Sequence, residues 1–314
     1  MQVCFLRATE RSWWGLGILS IEPAAVLDRM ARLEQAIAVL DAATREPQAA
    51  TEDDPVFLAS IGWRSGSTLT QRALMTDPSI LVWGEPLAHM RFLHRLAEPL
   101  LGISEDWPGN SHWLSHRPDI DLTQDWVATL APDAGHLKAA YRAFFDTWLA
   151  APARQRGFKR WGVKQVRWTG EDALALRWLY PRAKFLVIVR HPVSAYRSMR
   201  NFGFNPPAYG HLVKWPDHWV ASLDDYAHFW NTLALSWGAV IDRLGAAWVR
   251  YEDIVDGNID LDAIGATLGL TLKTEVARSA KVGGSDYQTA IGDDERERIN
   301  QLTVDGRQLF SYLE

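Results

Sequence analysis

The chain has 314 residues, 47% hydrophobic and 23% charged, with a formal net charge of −5; it reads as a globular protein long enough for one large α/β domain with embellishments, which excludes a disordered chain. The acidic balance speaks against nucleic-acid or membrane-surface binding, so an anionic ligand would have to be held by a few local cations. The single cysteine, Cys4, excludes an internal disulfide, and no apolar run approaches membrane length, so a cytoplasmic protein with neither signal peptide nor span is expected.

Residues 1–18 have mixed β character, and the spacing of Val26, Met30, Leu33, Ile37 and Leu40 gives one apolar helical stripe. The polar run Ala43 to Asp54 reads as a linker, so residues 1–54 form an N-terminal extension to a main domain over 55–314. Two heptads of stripe can dock on that domain or seed a homodimer, and docking is the preferred reading.

Residues 56–62 then read as a buried strand, followed by the small-residue loop Trp63-Arg64-Ser65-Gly66 and a helix over 67–77. Glycine lets such a loop bend inward, and the N–H groups at the helix start point at an anion. A nucleoside-triphosphate P-loop would follow its last glycine with Lys-Ser/Thr, for the terminal phosphates and magnesium. Here Gly66 is followed by Ser67-Thr68.

Further strands are predicted at 80–83, 161–165, 184–190 and 247–251, with helices at 170–180, 192–201 and 218–244. The alternation implies a parallel sheet wrapped by helices. Ligands bind such sheets beyond the carboxyl ends of the strands, which places Gly62, Glu85, Gln165, His191 and Glu252 near one edge. The 184–190 strand delivers Arg190 to that edge, and Ser194 and Ser198 share one face of the next helix, so guanidinium and hydroxyl together suit a phosphate.

Sixteen tryptophans are twice the number of tyrosines. Trp107, Trp113 and Trp126 lie in one inter-strand stretch and Trp215, Trp219 and Trp230 in another; packing is the first reading and an aromatic acceptor cleft the second. His112 and His116 have helical metal-ligand spacing but no obvious third ligand, so no metal is expected there.

The Arg64-Ser-Gly-Ser-Thr68 loop, together with Arg190 and a serine eight residues later, resembles the two cofactor signatures of sulfotransferases that use 3′-phosphoadenosine 5′-phosphosulfate. The resemblance covers about residues 55–290 and implies a P-loop NTPase-like three-layer α/β fold, a central parallel sheet flanked by helices. By that likeness Arg64, Ser65, Gly66, Ser67 and Thr68 face the phosphosulfate, and Arg190 and Ser198 face the 3′-phosphate. Glu85, ending the second strand twenty-one residues after Arg64, resembles the glutamate base of tyrosylprotein and carbohydrate sulfotransferases, with His89 and His94 as fallback bases. Lys164 resembles a stabiliser of the leaving phosphate, with Arg167 a helper to cofactor or acceptor. Gly283 and Gly284, within Arg278 to Asp286, resemble an incomplete cofactor-closing segment, whereas a structural role is expected for Tyr251-Glu252-Asp253.

The resemblance implies sulfuryl transfer to the hydroxyl of a carbohydrate, a phenol or tyrosyl group, or a small alcohol, releasing adenosine 3′,5′-bisphosphate. The missing lysine–magnesium pair fits a metal-independent reaction, because a sulfuryl group carries less charge than a γ-phosphoryl group. Acceptor choice is expected from aromatic insertions at about 86–135 and 202–230. A P-loop-like kinase or a non-catalytic nucleotide-binding module are the alternatives.

Overall fold

The computed structural model describes residues 23–47, 51–85, 95–201, 220, 222–273 and 290–313. The runs Val-Phe-Leu-Ala-Ser, Ile-Leu-Val-Trp, Arg-Trp-Gly-Val-Lys-Gln, Lys-Phe-Leu-Val-Ile-Val and Ala-Trp-Val-Arg become strands β1 (Val56–Ser60), β2 (Ile80–Trp83), β3 (Arg160–Gln165), β4 (Lys184–Val189) and β5 (Ala247–Arg250). They form one parallel sheet in the order β2-β3-β1-β4-β5. All five strands fall within two residues of the predicted bounds.

Parallel pairing requires long crossovers, and helices supply most of them. In chain order these are α1 (Pro23–Ala43), α2 (Ser67–Leu74), α3 (Ala134–Phe145), α4 (Ala151–Gln155), α5 (Gly170–Leu179), α6 (Pro192–Asn201), α7 (Leu223–Gly238), α8 (Ile241–Leu244), α9 (Tyr251–Asp256), α10 (Leu261–Leu268), α11 (Asp293–Leu302) and α12 (Val304–Leu309). The predicted 218–244 helix is thus divided, and Leu309 of α12 packs directly on Gly238, where α7 ends.

Alternate β1 residues face opposite layers, as the two-residue period of a strand requires. Val56 and Leu58 join Leu186, Ile188, Val249 and Leu268 in one core cluster. Phe57 and Ala59 face a larger cluster shared by α1, α5 and α7. There Phe57 meets Trp161 and Trp168 edge-on, with ring centroids 5.9 and 5.5 Å away, and Trp230 and Trp237 are wholly buried. Packing therefore accounts for most of the described tryptophans. Trp107 and Trp126 depart from it: they are 49% and 71% exposed on the surface of the 103–131 stretch.

The stripe on α1 is consumed within the chain. Val26, Met30, Leu33 and Leu40 are buried, and Asp41 accepts a 2.9 Å hydrogen bond from Trp178 Nε1. No apolar seam of two heptads is left on this helix to pair with a second copy. The linker is pinned as well, by ion pairs of Asp53 with Arg154 and Asp54 with Arg160. Among the described residues no helix is long and apolar enough to cross a membrane.

The start of α5 carries a buried charge problem. Asp172 completes a capping box with Thr169 and accepts from the Ala97 N–H at 3.3 Å, yet burial, with Glu171 adjacent, pushes its carboxyl up from 3.8 to about 7. A carboxyl raised by folding binds its proton more tightly in the native state, so it contributes stability in acid that is lost as pH rises through about 7. Asp172→Asn is therefore expected to flatten the fall in melting temperature between about pH 4 and 8 in calorimetry. An unchanged slope would show that Asp172 is not its source.

Candidate active site

The carboxyl ends of the five strands deliver one element each to a single edge: Glu85 after β2, Lys164 in β3, the 61–66 loop after β1, Arg190 after β4 and Tyr251 after β5. The loop turns sharply because three of its residues are left-handed, Gly62 at φ +78°, Arg64 at +64° and Gly66 at +89°. At Gly66 only glycine fits: an added Cβ would stand 2.3 Å from Tyr251 Cδ2. Gly66 caps α2, its carbonyl accepting from the N–H groups of Leu69 and Thr70, so the helix begins where the loop ends. The Ser60 hydroxyl donates to the Gly62 carbonyl at 2.9 Å, while the Ser65 hydroxyl lies 2.8 Å from the Ile61 carbonyl and 2.9 Å from that of Gly62. The Ser65 side chain thus braces the loop from within.

The two predicted phosphate elements meet. Arg190 Nη1 donates to the Arg64 carbonyl at 3.0 Å, and Arg64 Nε reaches the Ser198 hydroxyl at 3.3 Å. Arg190 is held from two further sides: Trp230 Nε1 donates to its carbonyl at 3.1 Å, and its guanidinium lies 4.2 Å over the Tyr251 ring. Its Nε is buried without an acceptor among the described residues, which costs about 1–3 kcal/mol in a protein with no ligand to supply one. Next to it, burial and the Arg307 charge lower the His191 pKa, so the fixed positive charge at this strand end belongs to Arg190.

A second cluster gathers round Glu85. Lys164 Nζ donates to Glu85 Oε1 at 2.6 Å and Arg167 Nη1 to Oε2 at 3.3 Å. The cations are nearly sealed, with 8% and 2% side-chain exposure, while Glu85 keeps 24%. A solvated lysine does not describe Lys164 in this arrangement. The β2 end that carries Glu85 is itself tied down, because Gln71 of α2 donates to the Val82 carbonyl at 2.8 Å.

The Tyr251-Glu252-Asp253 segment is engaged on several sides: Glu252 accepts from the His191 N–H and the Tyr312 hydroxyl, Asp253 accepts from Arg250, and the Tyr251 ring packs between Gly66 and Arg190. Arg167, expected to help with cofactor or acceptor, donates to Glu85. Ser67 is buried at the start of α2 and Thr68 exposed. Gly283, Gly284 and the rest of Arg278 to Asp286, the fallback bases His89 and His94, and Trp215 and Trp219 lie outside the described residues.

His112 bonds Thr129 at 2.7 Å and His116 the Ala43 carbonyl at 2.9 Å, so the pair is engaged apart. Among the described residues no group of three or more His, Cys, Asp or Glu is placed to hold a metal ion.

The model of the sulfotransferase family matches residues 55–273. No curated protein sequence matches the chain. Solved structures similar to it include the sulfotransferase domain of an olefin synthase from Synechococcus PCC 7002, at 18% identity over 84% of this chain and 90% of that one with a TM-score of 0.45. A sulfotransferase from Alicyclobacillus acidocaldarius is 14% identical over 83% and 96%, TM-score 0.44. A mouse sulfotransferase complexed with PAP is 14% identical over 89% and 93%, TM-score 0.40.

Proposed function

Since the chain belongs to the sulfotransferase family, we propose that it moves a sulfuryl group from 3′-phosphoadenosine 5′-phosphosulfate to the hydroxyl of a carbohydrate, phenol or small alcohol. The observation that carries the choice of donor is the joined cradle, in which Arg190 and Ser198 meet the Arg64 loop within 3.3 Å. A nucleotide with phosphate groups at both 5′ and 3′ positions suits two cationic half-sites held this close. The residues present fit that group: Gly66 lets the loop turn at a left-handed φ against the Tyr251 ring, and the buried Arg190 Nε is a donor that a phosphate oxygen would satisfy.

When bound, the donor supplies the activated sulfuryl group. The loop N–H groups and Arg64 would hold its 5′ end, Arg190 and Ser198 its 3′-phosphate, and Tyr251 would wall the cradle. Lys164 and Arg64 would neutralise charge developing on the leaving oxygen. Glu85 would accept the acceptor's proton late, as the new oxygen–sulfur bond forms, an order that a weak carboxylate base tolerates. Lys164, paired with Glu85 at 2.6 Å, would then exchange that partner for the leaving group.

The test is thermal stabilisation. A ligand that binds only the native state raises stability by roughly 2.7 kcal/mol at a hundred times its Kd. Adenosine 3′,5′-bisphosphate without metal is expected to raise the melting temperature, and ATP–magnesium is not. Stabilisation by ATP–magnesium alone would overturn the donor assignment in favour of a phosphoryl-transfer or nucleotide-sensing protein.

A further inference from the structure

We infer that Arg167 is the positioning residue for Glu85, holding the carboxylate in place while Lys164 turns to the donor. This rests on the reading of Glu85 as the base.

Three observations point the same way. The two cations divide the carboxylate, Lys164 on Oε1 and Arg167 on Oε2, so one can leave without releasing the other. Lys164 is a point charge on a flexible stem, suited to moving, whereas the guanidinium of Arg167 is a planar fork suited to staying. Arg167 is also wedged: its guanidinium lies 5.2 Å over the Trp63 ring, and Trp63 stacks on Phe229 of α7 at 4.2 Å with the rings inclined by 29°.

A chain of rigid groups therefore runs from α7 through Phe229, Trp63 and Arg167 to Glu85. Trp63 sits between Gly62 and Arg64, so the same stack that orients the base is covalently part of the phosphate loop. Base and loop are thereby fixed relative to one another through a common indole. Burial lowers the Arg167 pKa, and the Glu85 charge opposes that effect.

Arg190 is fixed separately, by Trp230 and Tyr251, so loss of Arg167 should spare the 3′-phosphate half of donor binding. That separation is what the experiment reads.

Turnover is measured as adenosine 3′,5′-bisphosphate released from the donor, with 4-nitrophenol as probe acceptor and water as the acceptor always present. Arg167→Gln is expected to lower kcat roughly a hundredfold, the cost of misplacing a reacting group by about 1 Å. Its bisphosphate affinity in calorimetry should stay within about twofold of the parent, since Arg190 keeps its own supports at Trp230 and Tyr251. Arg167→Lys keeps the charge and most of the packing, and it should recover about tenfold of the loss while leaving that affinity unchanged. If the Gln variant gives no cooperative melt, the Lys variant decides: a kcat below the parent with unaltered affinity supports the inference. Parent-like kcat in either variant, or affinity falling in step with kcat, would overturn it. Glu85→Gln measured alongside separates the two readings. An active Glu85→Gln removes the base itself, whereas an inactive one beside a fully active Arg167→Gln removes only the positioning role.

Discussion

Glu85→Gln is expected to bind adenosine 3′,5′-bisphosphate as the parent does and to lose about two to four orders of magnitude in kcat, the usual contribution of a positioned acid or base. The expectation follows from where its bonds go. Both carboxylate oxygens meet cations, at 2.6 Å from Lys164 and 3.3 Å from Arg167, and neither touches Arg190, Ser198 or the loop at the described contacts. Glutamine keeps the volume and one acceptor oxygen, but it turns an amide N–H₂ toward the other cation and cannot take a proton. The substitution therefore removes proton acceptance while leaving the donor cradle intact. Steady-state turnover and calorimetric titration of the bisphosphate check both halves. Full turnover would exclude Glu85 from proton transfer, and lost bisphosphate affinity would assign it to the cradle.

The second large effect is expected at Arg190. Its guanidinium does three things at once: it holds the Arg64 carbonyl, rests on Tyr251 and keeps a buried Nε without an acceptor among the described residues. A charge-assisted bond to phosphate contributes about 1.5–3 kcal/mol, so Arg190→Ala should weaken bisphosphate binding by roughly one to two orders of magnitude. Loss of the brace on Arg64 adds to this, because the left-handed loop residue then has one contact fewer to hold it. Arg190→Lys, with the charge but not the fork, should fall between the two. An Arg190→Ala protein with parent-like affinity would remove the 3′-phosphate assignment, whatever happened at Glu85.

Much of this arrangement is legible in the sequence because it depends on local pattern. Buried parallel strands must be continuous apolar runs, so Val56, Ile80, Trp161, Phe185 and Val249 mark their strands without any knowledge of the sheet. Once the sheet is inferred, its carboxyl edge collects Arg64, Glu85, Lys164 and Arg190 by topology alone. What escapes is pairwise and distant. Arg167 and Glu85 are 82 positions apart, and no spacing rule announces a pair that exists only because β2 and β3 are neighbours. The contact of the Tyr251 ring with Gly66 is equally distant in sequence, because it depends on β5 lying beside β4. Tryptophan burial was legible in the core but not at Trp107 and Trp126, since an aromatic residue carries no mark of which side of a loop it will occupy.

Arg64 is the one non-glycine residue in the phosphate loop with positive φ, at +64°. A left-handed conformation costs an L-residue about 1–2 kcal/mol relative to its relaxed state, and glycine would avoid that cost. The fold on its own therefore prefers glycine at this position, while the guanidinium that reaches Ser198 is what arginine alone supplies. Selection for thermal resistance and selection for activity pull this codon in opposite directions. A laboratory lineage enriched only for survival of heating would drift toward glycine here, accumulating well-folded proteins that had lost the guanidinium reaching Ser198.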